Sequence, residues 1–342
     1  MAIIRSQPED FRVEELPLYA PSGAGGHTFV KVEKRLVTTE EVASALSRAA
    51  RVRPSEVGYA GRKDRFAVAT QWFSVPRLDP RRALELACDG MRVLEASAHA
   101  HKLRTGQLRG NRFEIAVRGV DEDARAVARL RFERIARLGM ANFFGAQRFG
   151  RDGRNAEVGA RLLRGEPVLA DRRAARFAIS ALQSAVFNEL LAARVERIGV
   201  LELGDVALIH ASGGQFRVED AEREQLRADA FEISPTGPVF GSRVIEPAGD
   251  VARRERAVLA ARGIDPCELR APRGIRLRGA RRALRVRPLA ARMRDFAGGF
   301  WLDFELPPGS YATVLIREVL GAEPEIGPRT PARDTQRPIA LC

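Results

Sequence analysis

Several residue types that would define a function class are scarce in this 342-residue sequence. Its three cysteines form no Cys-x-x-Cys pair and its four histidines show no zinc-ligand spacing, so neither a disulfide framework nor a metal site is expected. No apolar run approaches the ~18 residues that cross a bilayer, and the N-terminus lacks the basic-then-apolar pattern of a secretion signal. The sequence has no Gly-x-x-x-x-Gly-Lys-Ser/Thr loop, which argues against a nucleotide-driven motor or kinase. We therefore expect a cytoplasmic protein that does not enter a membrane.

Lysine is also scarce, with four among 57 basic residues, yet arginine raises the net charge to +13 and the pI to about 10.8. A basic surplus attracts polyanions, because each cation that neutralises a phosphate releases a counterion. Genomic base composition accounts for arginine in place of lysine, but it does not account for a surplus of positive charge. Nucleic acid is therefore favoured as the partner over a merely basic surface.

Strand and helix patterns alternate irregularly along the chain, without the steady β-α-β order of a doubly wound parallel sheet. This favours an α+β fold. Period-2 patterns predict strands at residues 27–34, 68–75, 91–95, 111–117 and 300–306. Helical patterns occupy residues 39–51, 123–138 and 173–198, while residues 311–320 fit either a strand or a helix. We expect the tail from Gly321, which is rich in proline, to be loosely ordered.

The first motif that can carry chemistry is a charged loop at residues 58–65, Gly-Tyr-Ala-Gly-Arg-Lys-Asp-Arg. Its Asp64 lies among three cations, and each nearby positive charge favours the ionised form of a carboxylate. The same cations can hold phosphates while the carboxylate acts on the nucleotide between them. On charge pattern alone, a surface loop with a salt-bridged aspartate is the more common explanation.

The second motif, at residues 142–150, reads Asn-Phe-Phe-Gly-Ala-Gln-Arg-Phe-Gly and mixes aromatic with polar side chains. This combination suits the stacking of a base and the recognition of its edge. A core strand with packed Phe side chains is the alternative, although two glycines and three polar residues fit such a strand poorly.

The third motif follows a rigid turn at residues 307–313, Pro-Pro-Gly-Ser-Tyr-Ala-Thr. Its Tyr311 can stack on a base, and a structural hairpin turn is the alternative.

Together with residues 8–14, Pro-Glu-Asp-Phe-Arg-Val-Glu, these motifs resemble the tRNA pseudouridine synthase D (TruD) family. The four motifs follow the order of the family at compatible distances, and the resemblance covers nearly the whole chain. It implies an enzyme that isomerises a uridine of tRNA to pseudouridine without a cofactor. That chemistry requires a carboxylate near the ribose, either as nucleophile at C1′ or as base for the C2′ proton, and the sequence leaves both open.

The resemblance also assigns roles to individual residues. Asp64 falls on the aspartate of the family's Gly-x-Lys-Asp motif, which is the catalytic residue, and Lys63 falls on a basic active-site residue. Phe11 and Asn142 fall on residues that contact the substrate. Arg5 stands where a lysine is expected before the Pro-Glu-Asp motif.

The target base has to leave the RNA stack, which requires an aromatic surface to receive it. Phe11, Phe144 and Tyr311 are the candidates for that surface. Tyr311 stands where the family often has Phe; the tyrosine keeps the ring and adds a hydroxyl. We expect arginines, including Arg65 and Arg148, to bind the RNA backbone.

The implied architecture is a mixed, largely antiparallel sheet core with helices and an inserted α/β domain, the TRUD domain. The catalytic domain is expected at residues 1–165 and 288–342, with the insertion at 166–287. The 14 arginines between residues 251 and 294 are compatible with this division. The resemblance also points to uridine 13 in the D-arm of tRNA as the target, and we expect a monomer.

Three other functions fit part of the sequence. A catalytically silent RNA-binding protein would keep an RNA-binding groove but would not catalyse the reaction. The intact Lys63-Asp64 pair argues against it. A metal-dependent nuclease would need several carboxylates around a divalent ion, with Asp10 and Glu14 as further candidates. A basic structural protein of a ribonucleoprotein would not need Asp64.

Overall fold

The computed structural model describes residues 1–150, 152–168, 171–265, 272 and 274–327. Its strands, in chain order, are β1 (Ile3–Ile4), β2 (Phe11–Pro17), β3 (His27–Arg35), β4 (Gly58–Tyr59), β5 (Val68–Pro76), β6 (Ala87–Cys88), β7 (Met91–His99), β8 (Leu108–Arg118), β9 (Met140–Ala141), β10 (Val206–Ile209), β11 (Gln215–Arg217), β12 (Ile233–Val239), β13 (Ala280–Ala283), β14 (Arg285–Val286), β15 (Leu289–Phe296), β16 (Gly299–Leu306) and β17 (Glu325–Ile326). Its α-helices are α1 (Thr39–Ala49), α2 (Pro80–Leu84), α3 (Glu122–Leu138), α4 (Asn155–Leu163), α5 (Arg172–Ala192), α6 (Ala221–Asp229), α7 (Gly249–Ala261) and α8 (Ala312–Leu320).

The chain divides into two compact units. Unit 1 comprises Met1–Glu133, Pro288–Pro308 and the residues from Ile316 onward, and unit 2 comprises Arg134–Arg287 and Gly309–Leu315. The expected limits of the inserted domain, residues 166 and 287, concern a family-specific segment and stay a prediction.

Unit 1 is built on an eleven-stranded sheet with the order β15-β16-β8-β2-β5-β3-β7-β6, to which β1, β4 and β17 add at the sides. Within it, β2 pairs with β5 and β1 with β17 in parallel, and the remaining described pairs are antiparallel. The predicted mixed, largely antiparallel sheet with helices is thereby confirmed.

Local sequence explains why α1 begins and α3 ends where they do. The Thr38 hydroxyl accepts a hydrogen bond from the Glu41 backbone N–H at 3.1 Å, and the Glu41 carboxylate accepts one from the Thr38 N–H. This reciprocal cap satisfies two donors that the first turn of a helix leaves unpaired. Gly139 follows α3 with φ of +84°, a conformation that glycine adopts without steric strain.

Unit 2 has an antiparallel sheet with the order β11-β10-β12-β13 and a separate antiparallel pair, β14 with β9. The long helix α5 buries Phe187 and Leu191 in a cluster with Ala141 and Leu284. This packing matters for function, because it places one side of α5 beside the second motif.

Some segments differ from the sequence-based expectations. The helix expected to reach residue 198 ends at Ala192. Of the two structures that fit residues 311–320, the helix is the one that forms, at Ala312–Leu320. The expected looseness of the tail is wrong for residues 321–327, because the Glu325 N–H donates to Ala2 O and the Gly327 N–H to Ile4 O, both at 2.9 Å. The remaining residues of the tail lie outside the described ranges, as do two of the cysteines, Cys267 and Cys342.

Within the described ranges, none of the helices combines the length and the apolar character needed to span a bilayer.

Candidate active site

Asp64 lies on the loop between β4 and β5, and its side chain is 40% exposed. One carboxylate oxygen, Oδ2, accepts a hydrogen bond from Arg5 Nη1 at 2.6 Å. The other, Oδ1, accepts one from the Phe66 backbone N–H at 3.0 Å. The carboxylate is therefore oriented from two sides and still accessible to solvent. The alternative of a salt-bridged surface aspartate describes part of this geometry, but the partner comes from residue 5 and not from the loop.

The main chain of this loop is held by a buried lysine. Lys34 is 1% exposed, and its ammonium donates to the backbone oxygens of Asp64 at 2.7 Å and Val37 at 2.9 Å. Burial lowers the pKa of Lys34 to about 8, and the Asp64 carboxylate opposes part of that effect. Lys34 thus ties the catalytic candidate to the segment that precedes α1. The sequence alone did not identify it.

The first turn of α1 holds the same loop from another side. The Thr39 hydroxyl accepts a hydrogen bond from the Lys63 backbone N–H at 3.0 Å and donates one to Gln71 Oε1 at 3.0 Å. The Gln71 amide then donates to Gly61 O. Because Thr39 and Gln71 are fully buried, these bonds are shielded from water and fix the backbone on both sides of Arg62.

The side chain of Lys63 binds residues of two strands of the sheet, β2 and β8. Its ammonium donates to Glu15 Oε2 at 2.7 Å and to Asn111 Oδ1 at 2.8 Å. Glu15 is 1% exposed, and burial raises its pKa while the Lys63 charge lowers it. Removing one partner from such a pair leaves an uncompensated buried charge. The geometry therefore gives Lys63 a positioning role, and the predicted catalytic role stays a prediction.

Phe11 and Arg65 lie in the same unit as Asp64. The Arg5 guanidinium lies 4.1 Å from the centroid of the Phe11 ring, which is 5% exposed and packs edge-on against Phe113. Arg5 therefore contacts both Asp64 and Phe11. Arg65 donates from Nε to Leu36 O at 2.8 Å, where Leu36 has φ of +59°.

The second motif forms a loop and a short 3-10 helix, Ala146–Phe149, so the alternative of a core strand is wrong. The side chain of Asn188 binds both backbone groups of Phe144, accepting from its N–H at 2.8 Å and donating to its carbonyl at 2.9 Å. An amide side chain here does what a neighbouring strand would do for a sheet residue. The Phe144 ring is half-buried and meets Phe187 and Tyr311 edge-on, at centroid distances of 5.4 and 6.3 Å.

Arg282 is the centre of this second cluster, and the sequence did not single it out among the many arginines nearby. Its guanidinium lies 4.1 Å from the Phe144 ring centroid and donates to Asn142 O and to Gly309 O at 2.9–3.1 Å. Burial lowers the pKa of Arg282 to about 10, so the group stays charged at neutral pH.

Asn142, Arg148 and Tyr311 also lie in unit 2. Asn142 is 6% exposed, donates to Ala283 O at 2.9 Å and accepts from Arg282 through Oδ1. Its amide is thus engaged in holding the cluster. Arg148 donates to the Ser184 hydroxyl at 3.2 Å and to the Ser180 hydroxyl. The turn before Tyr311 joins a strand to a helix, so the hairpin alternative is wrong.

The two further carboxylates considered for a metal centre are bound to cations. Arg118 donates to both oxygens of the fully buried Asp10, at 2.6 and 3.0 Å. Glu14 lies 3.1 Å from the Lys31 ammonium. In the part of the chain that the structure describes, no group of three His, Cys, Asp or Glu side chains is arranged to hold a metal ion.

The family model, the relatives and the solved structure that this chain resembles all carry the same family description. The family model described as tRNA pseudouridine synthase D (TruD) matches residues 1–173 and 170–319. A tRNA pseudouridine synthase D from Anaeromyxobacter sp. is 45% identical over 331 residues, covering 94% of this chain and 93% of the relative. One from Thermus thermophilus is 43% identical, covering 94% and 89%. A Methanosarcina mazei crystal structure assigned to tRNA pseudouridine synthase D superimposes with a TM-score of 0.77 at 22% identity, covering 94% of both chains.

Proposed function

The chain belongs to the tRNA pseudouridine synthase D family, and we propose that it isomerises a uridine of tRNA to pseudouridine with Asp64 as the catalytic carboxylate. One observation carries this assignment. The Asp64 carboxylate is oriented by Arg5 and by the Phe66 N–H, yet 40% of its side chain is open to solvent. A carboxylate that acts on a ribose needs both properties, a defined orientation and an open approach.

The reaction breaks the bond from C1′ to N1 of uracil, turns the base and forms a bond from C1′ to C5. The C5 proton leaves and N1 ends with a proton, so the product is an isomer and no electron donor or acceptor is consumed. Asp64 acts either as nucleophile at C1′ or as base for the C2′ proton. Arg5 orients the carboxylate in either case, and Lys34, Thr39 and Lys63 hold the loop that carries it.

We assign the reception of the displaced base to aromatic side chains, as base-flipping enzymes require. Phe144 and Tyr311 are half-buried and in edge contact with one another, with Arg282 against the Phe144 ring. Phe11 is proposed as a further contact for the substrate base, and the Arg5 guanidinium lies 4.1 Å from its ring centroid. Arg65, Arg148 and Asn142 are proposed to contact the RNA.

Finer features of the proposal come from the family resemblance. The target is uridine 13 in the D-arm of tRNA, and the enzyme acts as a monomer in the cytoplasm without a cofactor. The inserted domain is proposed at residues 166–287.

Pseudouridine mapping on unmodified tRNA transcripts, in EDTA, tests the proposal with wild type, Asp64→Asn and Asp123→Asn. We expect wild type and Asp123→Asn, whose carboxylate is exposed on α3, to convert a D-arm uridine at equal rates. Asp64→Asn should bind tRNA with similar affinity but react at least ~10³-fold more slowly, since it lacks the ionised group.

The alternatives give different results in the same assay. A silent RNA-binding protein or a structural protein would bind the transcripts without forming pseudouridine in any variant. A nuclease would cleave the transcripts when a divalent ion replaces EDTA. Equal conversion by wild type and Asp64→Asn would refute the role of Asp64.

A further inference from the structure

Helix α5 carries a row of polar residues four positions apart. These residues are Arg172, Arg176, Ser180, Ser184 and Asn188. Each residue of the row lies one turn above the one before it and about 40° further around the axis, so the row follows a ridge that winds along the helix. From residue 172 to residue 188 the row extends about 24 Å, at ~1.5 Å of rise per residue.

The C-terminal half of this row is occupied by the second motif. Asn188 binds the backbone of Phe144 on both sides, and Ser180 and Ser184 bind the Arg148 guanidinium. Arg148 also lies 5.8 Å from the Phe144 ring centroid. The half of α5 nearest the aromatic residues is therefore used to hold the surface proposed to receive the base.

The N-terminal half of the row forms one wall of a depression of about 600 Å³. Arg172 and Arg176 come from α5, and Arg276 and Arg278 come from the segment that faces it. We call these four residues the arginine pocket. Ser180 also lines it, so the pocket continues directly from the Arg148 site.

The walls of the arginine pocket are fixed to each other. Arg172 donates from Nη2 to Gly274 O at 2.7 Å, and the buried Gln183 amide donates to Phe240 O at 2.6 Å and Arg278 O at 3.3 Å. These bonds fix the two segments that carry the four arginines relative to each other, which reduces the backbone entropy lost when the pocket binds a ligand.

The pocket holds positive charge that the described protein does not neutralise. The described residues that line it include no aspartate or glutamate, and within the described ranges Arg176, Arg276 and Arg278 form no ion pair with a carboxylate. All four arginines are exposed. Guanidinium groups gathered in this way attract an anion, and their planar donors match phosphate oxygens.

Other arginines of the chain differ in this respect. A depression of about 560 Å³ on unit 1 also contains arginines, but four carboxylates line it as well, those of Glu14, Glu33, Glu114 and Asp303, and Arg294 donates to Asp303 at 2.8 Å. In the arginine-rich stretch of unit 2, Arg281 is buried and paired with Glu255 at 2.8 Å. These cations are engaged within the protein, whereas those of the arginine pocket face solvent.

We propose that the arginine pocket binds backbone phosphates of the RNA, on nucleotides that continue from the one bound at Phe144. This inference rests on the proposed function for the identity of the RNA. The row along α5 then has two parts. One part holds the aromatic residues that receive the base, and the other binds the RNA backbone next to that base.

The test compares Arg176→Gln/Arg276→Gln with the control Arg164→Gln/Arg253→Gln. The control removes the same charge from exposed arginines of unit 2 that are paired with Glu166 and Asp250. Binding of unmodified tRNA transcript is measured between 50 and 300 mM salt, together with the rate of pseudouridine formation at saturating enzyme.

We expect the pocket variant to raise Kd by about tenfold at low salt and to reduce the slope of log K against log salt by about 1.5, since two phosphate contacts are lost. Its rate at saturation should equal that of wild type. The control should change Kd by less than about twofold.

A pocket variant that binds tRNA as well as the control does, with the same salt slope, would overturn the proposal. So would a lower rate at saturation with an unchanged Kd, because the pocket would then act on the reaction instead of holding RNA. Binding is measured independently of conversion. If wild type forms no pseudouridine but the pocket variant still weakens binding, the proposed function fails and the phosphate site stands.

Discussion

Arg5 illustrates how much at the site depends on one residue. It donates to Asp64 at 2.6 Å and covers the Phe11 ring at 4.1 Å. Its own backbone has φ of +57°, a left-handed conformation that costs a non-glycine residue about 1–2 kcal/mol. Such a conformation persists only where the surrounding structure enforces it.

We predict that Arg5→Ala lowers the rate of pseudouridine formation at saturating enzyme by about 10- to 100-fold. The Asp64 carboxylate loses the partner that orients it, and small displacements of a reacting group have effects of this size. Single-turnover kinetics measure the rate, with melting temperature as a check on folding.

The control is Arg35→Ala, which removes a more exposed ion pair of the same length, 2.6 Å to Glu9. The control should keep the melting temperature of wild type, because exposed ion pairs contribute little to stability. Arg5→Ala should lower the melting temperature modestly, because the Arg5 side chain is 14% exposed and covers the Phe11 ring. Equal rates in the two variants would show that Arg5 does not act on Asp64.

Among the helices and strands, α1 contributes both to the stability of the fold and to the position of the Asp64 loop. Its first turn is capped by Thr38, and the next residue, Thr39, binds the backbone of the Asp64 loop through Lys63 N–H. The two adjacent threonines thus have separate tasks. Thr38 accepts a hydrogen bond from a backbone N–H of the helix, and Thr39 accepts one from a backbone N–H of the loop.

We predict that Thr39→Val lowers the free energy of unfolding by about 1–3 kcal/mol and also lowers the reaction rate. The substitution keeps the shape but leaves the Lys63 N–H and the Gln71 amide oxygen buried without their partner. Thr38→Ala should lower the free energy of unfolding by about 1 kcal/mol through loss of the cap and leave the rate unchanged. Urea denaturation and single-turnover rates, measured on both variants, distinguish these effects. A Thr38→Ala enzyme as slow as Thr39→Val would contradict the division of tasks.

At the scale of the whole molecule, the arginines behind the net charge of +13 fall into two groups, one buried and paired with carboxylates and the other exposed. Several arginines are buried and paired, as Arg194 is with Asp205 at 2.6 Å. Others, such as those of the arginine pocket, are exposed. Net charge therefore indicates the class of partner, while the count of exposed, unpaired cations determines how strongly binding depends on salt.

We predict that Kd for tRNA increases by about 10²–10³-fold between 50 and 200 mM salt, as expected for a protein that contacts at least ~4 phosphates. The rate at saturating enzyme should change little, because salt acts on association with the RNA. Fluorescence anisotropy over this range measures the affinity. A change of less than about threefold would show that the basic surface is not what holds the RNA.

The sequence by itself determined the local elements, the partner class and the family. Strand alternation at residues 27–34, a threonine cap at residue 38 or 39 and the end of α3 at Gly139 are encoded by neighbours within a few residues, so periodicity and capping rules identify them. The structure shows that Thr38 is the cap. The order of four motifs carried the family resemblance. The same local rules could not assign residues 311–320, where apolar spacing fits two structures.

Only the tertiary structure decided which side chains meet. Arg5 and Asp64 are 59 positions apart, and Arg282 and Asn142 are 140 apart. Among 57 basic residues, of which four are lysine, the sequence does not mark Arg282 as packed against Phe144 or Arg176 as exposed in a pocket. For the same reason, the sequence does not predict the β1–β17 pairing that orders residues 325–326. Contact between distant residues depends on how the whole chain packs, and this packing information is not contained in any short window of sequence.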